Sequence, residues 1–158
     1  MTHSVTVRHN FETAHRLPHL GGKCTNLHGH SWWCEVTVSA PRTDRGTVAE
    51  FGDFKAGIRT WIDTWLDHGT MLGATDPLVG ALGEEKCKIF RFGAQDDPTD
   101  AEKLAADLTA PTVENVAELV FRVARATLES ISHARGASIT QVKVSETHVN
   151  AASYRPVP

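Results

Sequence analysis

The chain has 158 residues, of which 41% are hydrophobic and 22% are charged, and its formal net charge is -3. This length and composition predict one globular domain with a sizeable core, and the slightly acidic balance excludes the basic surface that a nucleic-acid binder needs. No targeting segment or membrane span is predicted, and three cysteines are too few for a disulfide framework, so we expect a cytoplasmic protein.

Two strands and a helix are predicted in the first half of the chain. Apolar and polar side chains alternate between residues 5 and 11, and an extended run follows from Trp32 to Val38. Apolar residues then recur at helical spacing from Phe54 to about Leu66, which predicts a helix with Asp53 as its N-cap.

Residues 69–110 have the least regular pattern and are expected to form an insert, which either decorates the surface, the favoured interpretation, or changes the substrate. A short helix is predicted around 78–82 and a short strand over 87–92, followed by an acidic, loop-like stretch with a helical turn near 101–108. No chemical motif is recognisable within this segment.

A second helix and two strands close the chain. Thr112 is the predicted N-cap of a helix that extends to about Ser132, and strands are predicted over 139–147 and 152–154. The order of elements predicts an α+β fold in which two helices cover one face of an antiparallel sheet.

The sharpest chemical motif is a pair of histidines near a cysteine and a third histidine. In an extended segment His28 and His30 point to the same side, and His15 can supply a third nitrogen to a shared metal ion. Three ligands leave an open position, which is typical of a catalytic zinc site. Two alternatives stay open: the histidines are exposed loop residues, or Cys24 is a fourth ligand that closes a structural site.

Two further positions carry candidate chemistry. The carboxylate of Asp67 can orient its neighbour His68 as a proton carrier, although a charge pair at a helix end explains the same two residues. Glu146 shares a strand face with core residues, so its carboxylate needs donors, and a ligand with two adjacent N–H groups can supply them. An exposed strand end or an internal arginine partner is the alternative. Helix capping and the helix dipole account for Thr112 and Glu114 without a ligand.

Together these motifs resemble the 6-pyruvoyl-tetrahydropterin synthase superfamily, and within it the 6-carboxy-tetrahydropterin synthase branch. The spacing of Cys24 to His28 and His30 resembles that branch in particular. The resemblance covers nearly all of the chain outside 69–110. The segments that carry it, in the order of the family, are Phe11–Pro18, Lys23–Ser31, Phe51–Lys55, Leu66–His68, Pro111–Asn115 and Glu146–Thr147.

The resemblance implies a tunnelling fold, or T-fold, for residues 1–158. In such a fold a four-stranded antiparallel sheet carries two helices on one face, and the sheets of several subunits join into a barrel. The expected assembly is a homohexamer built from two trimers, with active sites at subunit contacts.

The resemblance also implies a reaction and a role for each motif. The expected reaction converts 7,8-dihydroneopterin triphosphate to 6-carboxy-tetrahydropterin, acetaldehyde and triphosphate, for 7-deazaguanine and queuosine synthesis. The implied roles are zinc binding for His15, His28 and His30, general base for Cys24, proton relay for Asp67 and His68, pterin anchor for Glu146, and a place near the pterin pocket for Thr112 and Glu114. Formation of the 6-pyruvoyl product, a non-catalytic pterin-binding module and a purely structural zinc module are the alternatives.

Overall fold

The computed structural model describes residues 1–157, which build a six-stranded mixed sheet with the strand order β4-β3-β1-β2-β5-β6. The strands are β1 (His3–His15), β2 (His28–Ala40), β3 (Gly69–Gly73), β4 (Ile89–Phe92), β5 (Ser138–Ser145) and β6 (Ala151–Tyr154). The helices are α1 (Phe51–Trp65), α2 (Leu78–Glu84) and α3 (Val113–Glu129). β1, β2, β5 and β6 pair antiparallel, whereas β3 and β4 join the sheet in parallel.

A long hairpin forms the centre of the sheet. β1 and β2 pair over 13 residues each, and their alternating apolar side chains, such as Phe11 opposite Trp32, are buried. The amphipathic helices α1 and α3 pack on this face, as their spacing predicts. The opposite face of the hairpin carries mostly exposed side chains.

The sheet is larger than predicted. We expected four antiparallel strands and two helices, and this count is wrong. Residues 1–157 have six strands and three α-helices, because residues 69–110 contribute β3, α2 and β4. The predicted short helix and strand of this segment are present, but β3 was missed. Met71 and Leu72 of β3 are consecutive and both fully buried, so the strand shows no alternation. The segment extends the sheet and its core rather than only decorating the surface.

Three element boundaries also differ from the prediction. α1 begins earlier than expected, and Glu50, not Asp53, is its N-cap: the Glu50 carboxylate accepts a hydrogen bond of 2.8 Å from the Asp53 backbone N–H. Thr112 caps α3 as predicted, but the helix ends at Glu129. β5 ends at Ser145, so Glu146 lies just beyond the strand.

Within residues 1–157, no helix combines the length and the apolar character needed to cross a membrane.

Candidate metal centre

The central hairpin brings the three predicted histidines together at one end of the sheet. His15 lies opposite His28 in the β1–β2 register, and His30 is two residues further along β2. Because alternate residues share a face, all three imidazoles lie on the helix-covered face. Their ring centroids are 4.8 to 5.3 Å apart.

Backbone carbonyls fix the orientation of two of these rings. His15 Nδ1 is 2.9 Å from the Pro111 carbonyl oxygen, and His28 Nδ1 is 2.7 Å from the Asn26 carbonyl oxygen. A carbonyl oxygen only accepts, so each Nδ1 donates and each Nε2 of the neutral ring presents a lone pair. Metal-binding imidazoles are commonly oriented in this way.

The carboxylate of Glu146 completes the cluster. Its Oε1 lies 2.9 Å from His15 Nε2 and 3.4 Å from His30 Nε2. One ligand atom from each of His15, His28, His30 and Glu146 can be chosen so that all lie within 4.8 Å of one another. Among residues 1–157, Glu146 is thus neither an exposed strand end nor paired with an arginine, the two alternatives considered from the sequence.

Unsatisfied nitrogens show that these residues fit a bound cation. The Nε2 atoms of His15 and His30 are both buried, and neither makes a hydrogen bond in residues 1–157. Glu146 Oε1 lies close to both nitrogens, but neither contact has the geometry of a hydrogen bond. A metal ion held by nitrogen and oxygen ligands satisfies all of these atoms, and three imidazoles with a carboxylate suit zinc.

Burial keeps the rings in the form that binds metal. Burial lowers the pKa of His15, against the opposing effects of the Pro111 carbonyl and the Glu146 carboxylate. Burial also lowers the pKa of His30, again opposed by Glu146. Neutral imidazole is the metal-binding form, so the lowered pKa of these two rings favours metal binding.

Residues 69–110 support the strand end that carries His15. β3 pairs with Thr13–His15 of β1, and the Thr13 hydroxyl donates a hydrogen bond of 3.1 Å to the Gly69 carbonyl. Beyond the strand, Arg16 Nε lies 2.9 Å from a carboxylate oxygen of Asp76, whose side chain is only 4% exposed. The backbone next to His15 is therefore held from two directions.

Asp67 and His68 form a second, separate pair at the end of α1. His68 Nδ1 is 2.6 Å from Asp67 Oδ2, and Asp67 Oδ1 accepts a 2.8 Å hydrogen bond from the Glu12 backbone N–H. Burial raises the pKa of Asp67, but the hydrogen bonds from Glu12 and His68 outweigh it, and the net pKa is below the usual value. Within residues 1–157, no hydrogen bond of this pair reaches the four-residue cluster. The side chain of His68 is 80% exposed.

The remaining predicted residues, Cys24, Thr112 and Glu114, lie close in sequence to residues that form or orient the cluster. Cys24 is a half-buried free thiol in the 3-10 turn Gly22–Thr25, whose Cys24 carbonyl accepts a hydrogen bond from the Leu17 N–H. Thr112 follows the carbonyl that holds His15 and caps α3, and Glu114 is exposed in the first turn of that helix.

A cleft opens beside the cluster on the less covered side of the sheet. Its volume is about 560 Å³, which is within the usual range for a small-molecule site. The lining includes Arg8, Trp33, Lys143, His148 and, from the cluster, His30 and Glu146.

Sequence reasoning missed the groups that orient the histidines. The Pro111 and Asn26 carbonyls are backbone atoms, so residue type carries no signal for them. Asp76 and Arg16 are ordinary charged residues whose pairing depends on the unpredicted β3. The contact of Glu146 with His15 depends on where β5 ends, so it was not predicted. The sequence indicated only that the Glu146 carboxylate needs partners.

Comparisons with known proteins agree with this architecture. The family model described as 6-pyruvoyl tetrahydropterin synthase matches residues 4–157. A 6-carboxy-5,6,7,8-tetrahydropterin synthase of Rickettsia typhi is 35% identical over 104 residues, which is 65% of this chain and 75% of the relative. The protein of the same name from Haemophilus influenzae is 24% identical over 152 residues, 92% of this chain and 94% of the relative.

Solved structures show the same fold over nearly the full chain. An uncharacterized protein of Wolinella succinogenes superposes with a TM-score of 0.71 at 19% identity, covering 98% of both chains. The 6-pyruvoyl tetrahydropterin synthase of Caenorhabditis elegans has a TM-score of 0.65 at 20% identity, covering 99% of this chain and 97% of its own.

Proposed function

The chain belongs to the 6-pyruvoyl tetrahydropterin synthase family, and on this premise we propose that it is a zinc-dependent 6-carboxy-5,6,7,8-tetrahydropterin synthase of the cytoplasm. Its reaction converts 7,8-dihydroneopterin triphosphate to 6-carboxy-tetrahydropterin, acetaldehyde and triphosphate, for 7-deazaguanine and queuosine synthesis. The observation that carries the proposal is the cluster of three histidines and Glu146, in which two buried imidazole nitrogens have no hydrogen-bond partner.

His15, His28 and His30 hold the zinc ion in this proposal. Zinc in such a site supplies Lewis-acid stabilisation of negative charge that develops on the hydroxyls of the substrate side chain. The carbonyls of Pro111 and Asn26 keep two of the rings in the orientation that binding requires.

The proton transfers fall to three side chains. Cys24 removes a proton from a carbon of the substrate side chain. Asp67, which its hydrogen bonds keep ionised, accepts the Nδ1–H of His68, so the exposed Nε2 of His68 is free to exchange a proton with the substrate.

Substrate recognition falls to residues around the cleft and the start of α3. Glu146 accepts hydrogen bonds from the adjacent N–H groups of the pterin ring, and Thr112 and Glu114 lie near the ring. Two facts support this: the cleft reaches Glu146, and the start of α3 directly follows Pro111, whose carbonyl holds His15.

A complete site needs more than one chain in this proposal. The Asp67–His68 pair is bonded to Glu12, no hydrogen bond within residues 1–157 joins it to the four-residue cluster, and His68 is largely exposed. With the assembly that the family resemblance implies, a homohexamer of two trimers, we propose that the pair of one subunit serves a neighbouring site. Light scattering that finds only a 17.2 kDa monomer at micromolar concentration contradicts this assembly.

Product analysis tests the function. The zinc-loaded protein is incubated with 7,8-dihydroneopterin triphosphate, and the products are identified by mass spectrometry. We expect 6-carboxy-tetrahydropterin and acetaldehyde. An unchanged substrate contradicts the proposal, and 6-pyruvoyl-tetrahydropterin as the sole product assigns the chain to the reaction for which its family is named.

The variant Cys24→Ala is the matched control. A catalytic Cys24 predicts a folded, zinc-loaded and inactive protein. A structural zinc module with Cys24 as ligand predicts instead that the variant loses zinc and unfolds.

A further inference from the structure

The surroundings of His15 point to a cation between its ring and Glu146. The Pro111 carbonyl oxygen lies 2.9 Å from Nδ1, and the Glu146 carboxylate oxygen lies 2.9 Å from Nε2. Oxygen acceptors thus face both nitrogens of one fully buried imidazole. A metal ion at Nε2 turns the close approach of Glu146 from a repulsive contact into shared coordination.

Glu146 also borders the cleft in which the substrate is expected. Its side chain is 19% exposed and lines the cleft together with His30. The residue begins a turn in which its backbone N–H donates to the Asn150 carbonyl at 3.0 Å. This turn places one carboxylate between the histidines and the cleft.

The two contacts of this carboxylate compete. Two adjacent N–H groups of a pterin ring occupy both oxygens of a carboxylate in a bidentate contact. Oε1 is the oxygen next to His15 and His30, so a metal ion and the ring compete for the same carboxylate oxygen.

We propose that Glu146 is the fourth protein ligand of the metal in the substrate-free protein and that it leaves the metal to bind the pterin ring. The proposal rests on the function proposed above and adds that the site opens only when substrate arrives. His15 and His28 stay on the metal throughout, because backbone carbonyls hold both rings and β3 pairs with the strand end that carries His15.

Cobalt substitution tests the first half of the proposal without turnover. Full-length protein is loaded with Co²⁺, and its visible absorption and its affinity in a chelator competition are measured for the unmodified protein and for Glu146→Gln. We expect at least about a tenfold loss of affinity, the lower end of the cost of removing even an indirect metal partner, and a changed spectrum.

Two further variants make this comparison specific. Glu35→Gln removes a carboxylate that lines the same cleft and pairs with Arg8 at 3.1 Å, and it should keep the affinity and spectrum of the unmodified protein. Glu146→Asp keeps the charge but withdraws the oxygen by one methylene, so it should resemble Glu146→Gln. Unchanged affinity and spectrum in both Glu146 variants overturn the ligand assignment.

A ring fragment tests the exchange. 2-Amino-4-oxopyrimidine has the N–H edge of the pterin ring but lacks the side-chain hydroxyls. Its addition to the cobalt-loaded protein should move the spectrum towards that of Glu146→Gln and leave the spectrum of Glu146→Gln unchanged. An unmoved spectrum at every concentration, or the same change in both proteins, overturns the exchange.

These results are independent of the product assay. A protein that shows Glu146 coordination and exchange but yields no pterin product refutes the proposed function and keeps this inference. Active protein with unaltered spectra in the Glu146 variants refutes this inference alone.

Discussion

The largely buried carboxylates of Glu102 and Glu146 have opposite surroundings. The side chain of Glu102 is 3% exposed and accepts hydrogen bonds from the backbone and guanidinium of Arg91 and from the backbone and hydroxyl of Thr99, at 2.8 to 3.0 Å. The side chain of Glu146 is 19% exposed and faces the imidazole nitrogens of His15 and His30 instead. The carboxylate of Glu102 has donors on both oxygens and is satisfied by the fold, whereas Glu146 lies beside two ring nitrogens that lack a hydrogen-bond partner, as a metal ligand would.

The pKa of Glu102 agrees with this contrast. Burial raises the pKa of Glu102, but the hydrogen bonds from Arg91 and Thr99 outweigh that effect, and the net pKa is below the usual 4.5. The donors belong to β4 and to the stretch before the 3-10 turn Glu102–Ala105, so this carboxylate joins separate parts of 69–110.

Removal of a cluster histidine should have the largest effect. His28→Ala deletes one metal ligand at the first residue of β2, so we expect about a 100-fold or greater loss of zinc affinity and loss of activity. Chelator competition measures the affinity, and the urea midpoint of the metal-free protein should change little. Retention of tight zinc binding in this variant would show that the cluster is not the metal centre.

Removal of the Glu102 charge should affect stability and leave metal binding intact. Glu102→Gln leaves Arg91 without its buried partner, so we expect a loss of about 2–3 kcal/mol in the free energy of unfolding, measured with urea. Glu129→Gln, which breaks an exposed pair with Arg125, is the control and should change stability by less than about 0.5 kcal/mol. A large loss of zinc affinity in Glu102→Gln contradicts the assignment of stability to Glu102 and of metal binding to Glu146.

The stability provided by Glu102 should depend on pH. Its pKa in the folded protein is below the unfolded value near 4.5, so its contribution is fully present above that pH and is lost as the pH falls through the folded pKa. The difference in unfolding free energy between the unmodified protein and Glu102→Gln should therefore shrink below about pH 4.5. Urea titrations at a series of pH values check this, and a constant difference contradicts it.

The smallest effect is expected at the support of His15. Asp76→Asn weakens the pair with Arg16 next to His15, so we expect a loss of zinc affinity of only a few-fold, because no ligand is removed. Asp100→Asn, in the same segment with a side chain 96% exposed, should leave zinc affinity unchanged. Equal affinity in both variants shows that the ion pair does not support the metal centre.

The predictable parts of the fold are those with a clear period. β1, β2, α1 and α3 carry alternating or helical patterns, and the structure has all four. β3 was missed because its five residues contain adjacent buried side chains with a glycine at each end, so neither period shows. The parallel pairing that places β3 beside β1 is a long-range contact that local patterns do not encode.

The metal site, like the fold, was only partly predictable from the sequence. The spacing of His28 and His30 placed two rings on one face, and His15 at the end of the first strand offered a third nitrogen. The place of Glu146 next to those rings was not predictable, because it depends on β5 ending at Ser145 and on the turn that follows. The Asp67–His68 hydrogen bond was expected, but its separation from the cluster within one chain depends on the register of β3 with β1.

X-ray absorption at the zinc edge of the purified protein tests the central claim most directly. The account predicts one zinc ion per chain with only nitrogen and oxygen neighbours at about 2.0–2.2 Å, and the same spectrum in Cys24→Ala. A sulfur neighbour at about 2.3 Å that disappears in Cys24→Ala contradicts it, because it makes Cys24 a ligand in place of Glu146 and closes the site as a structural one.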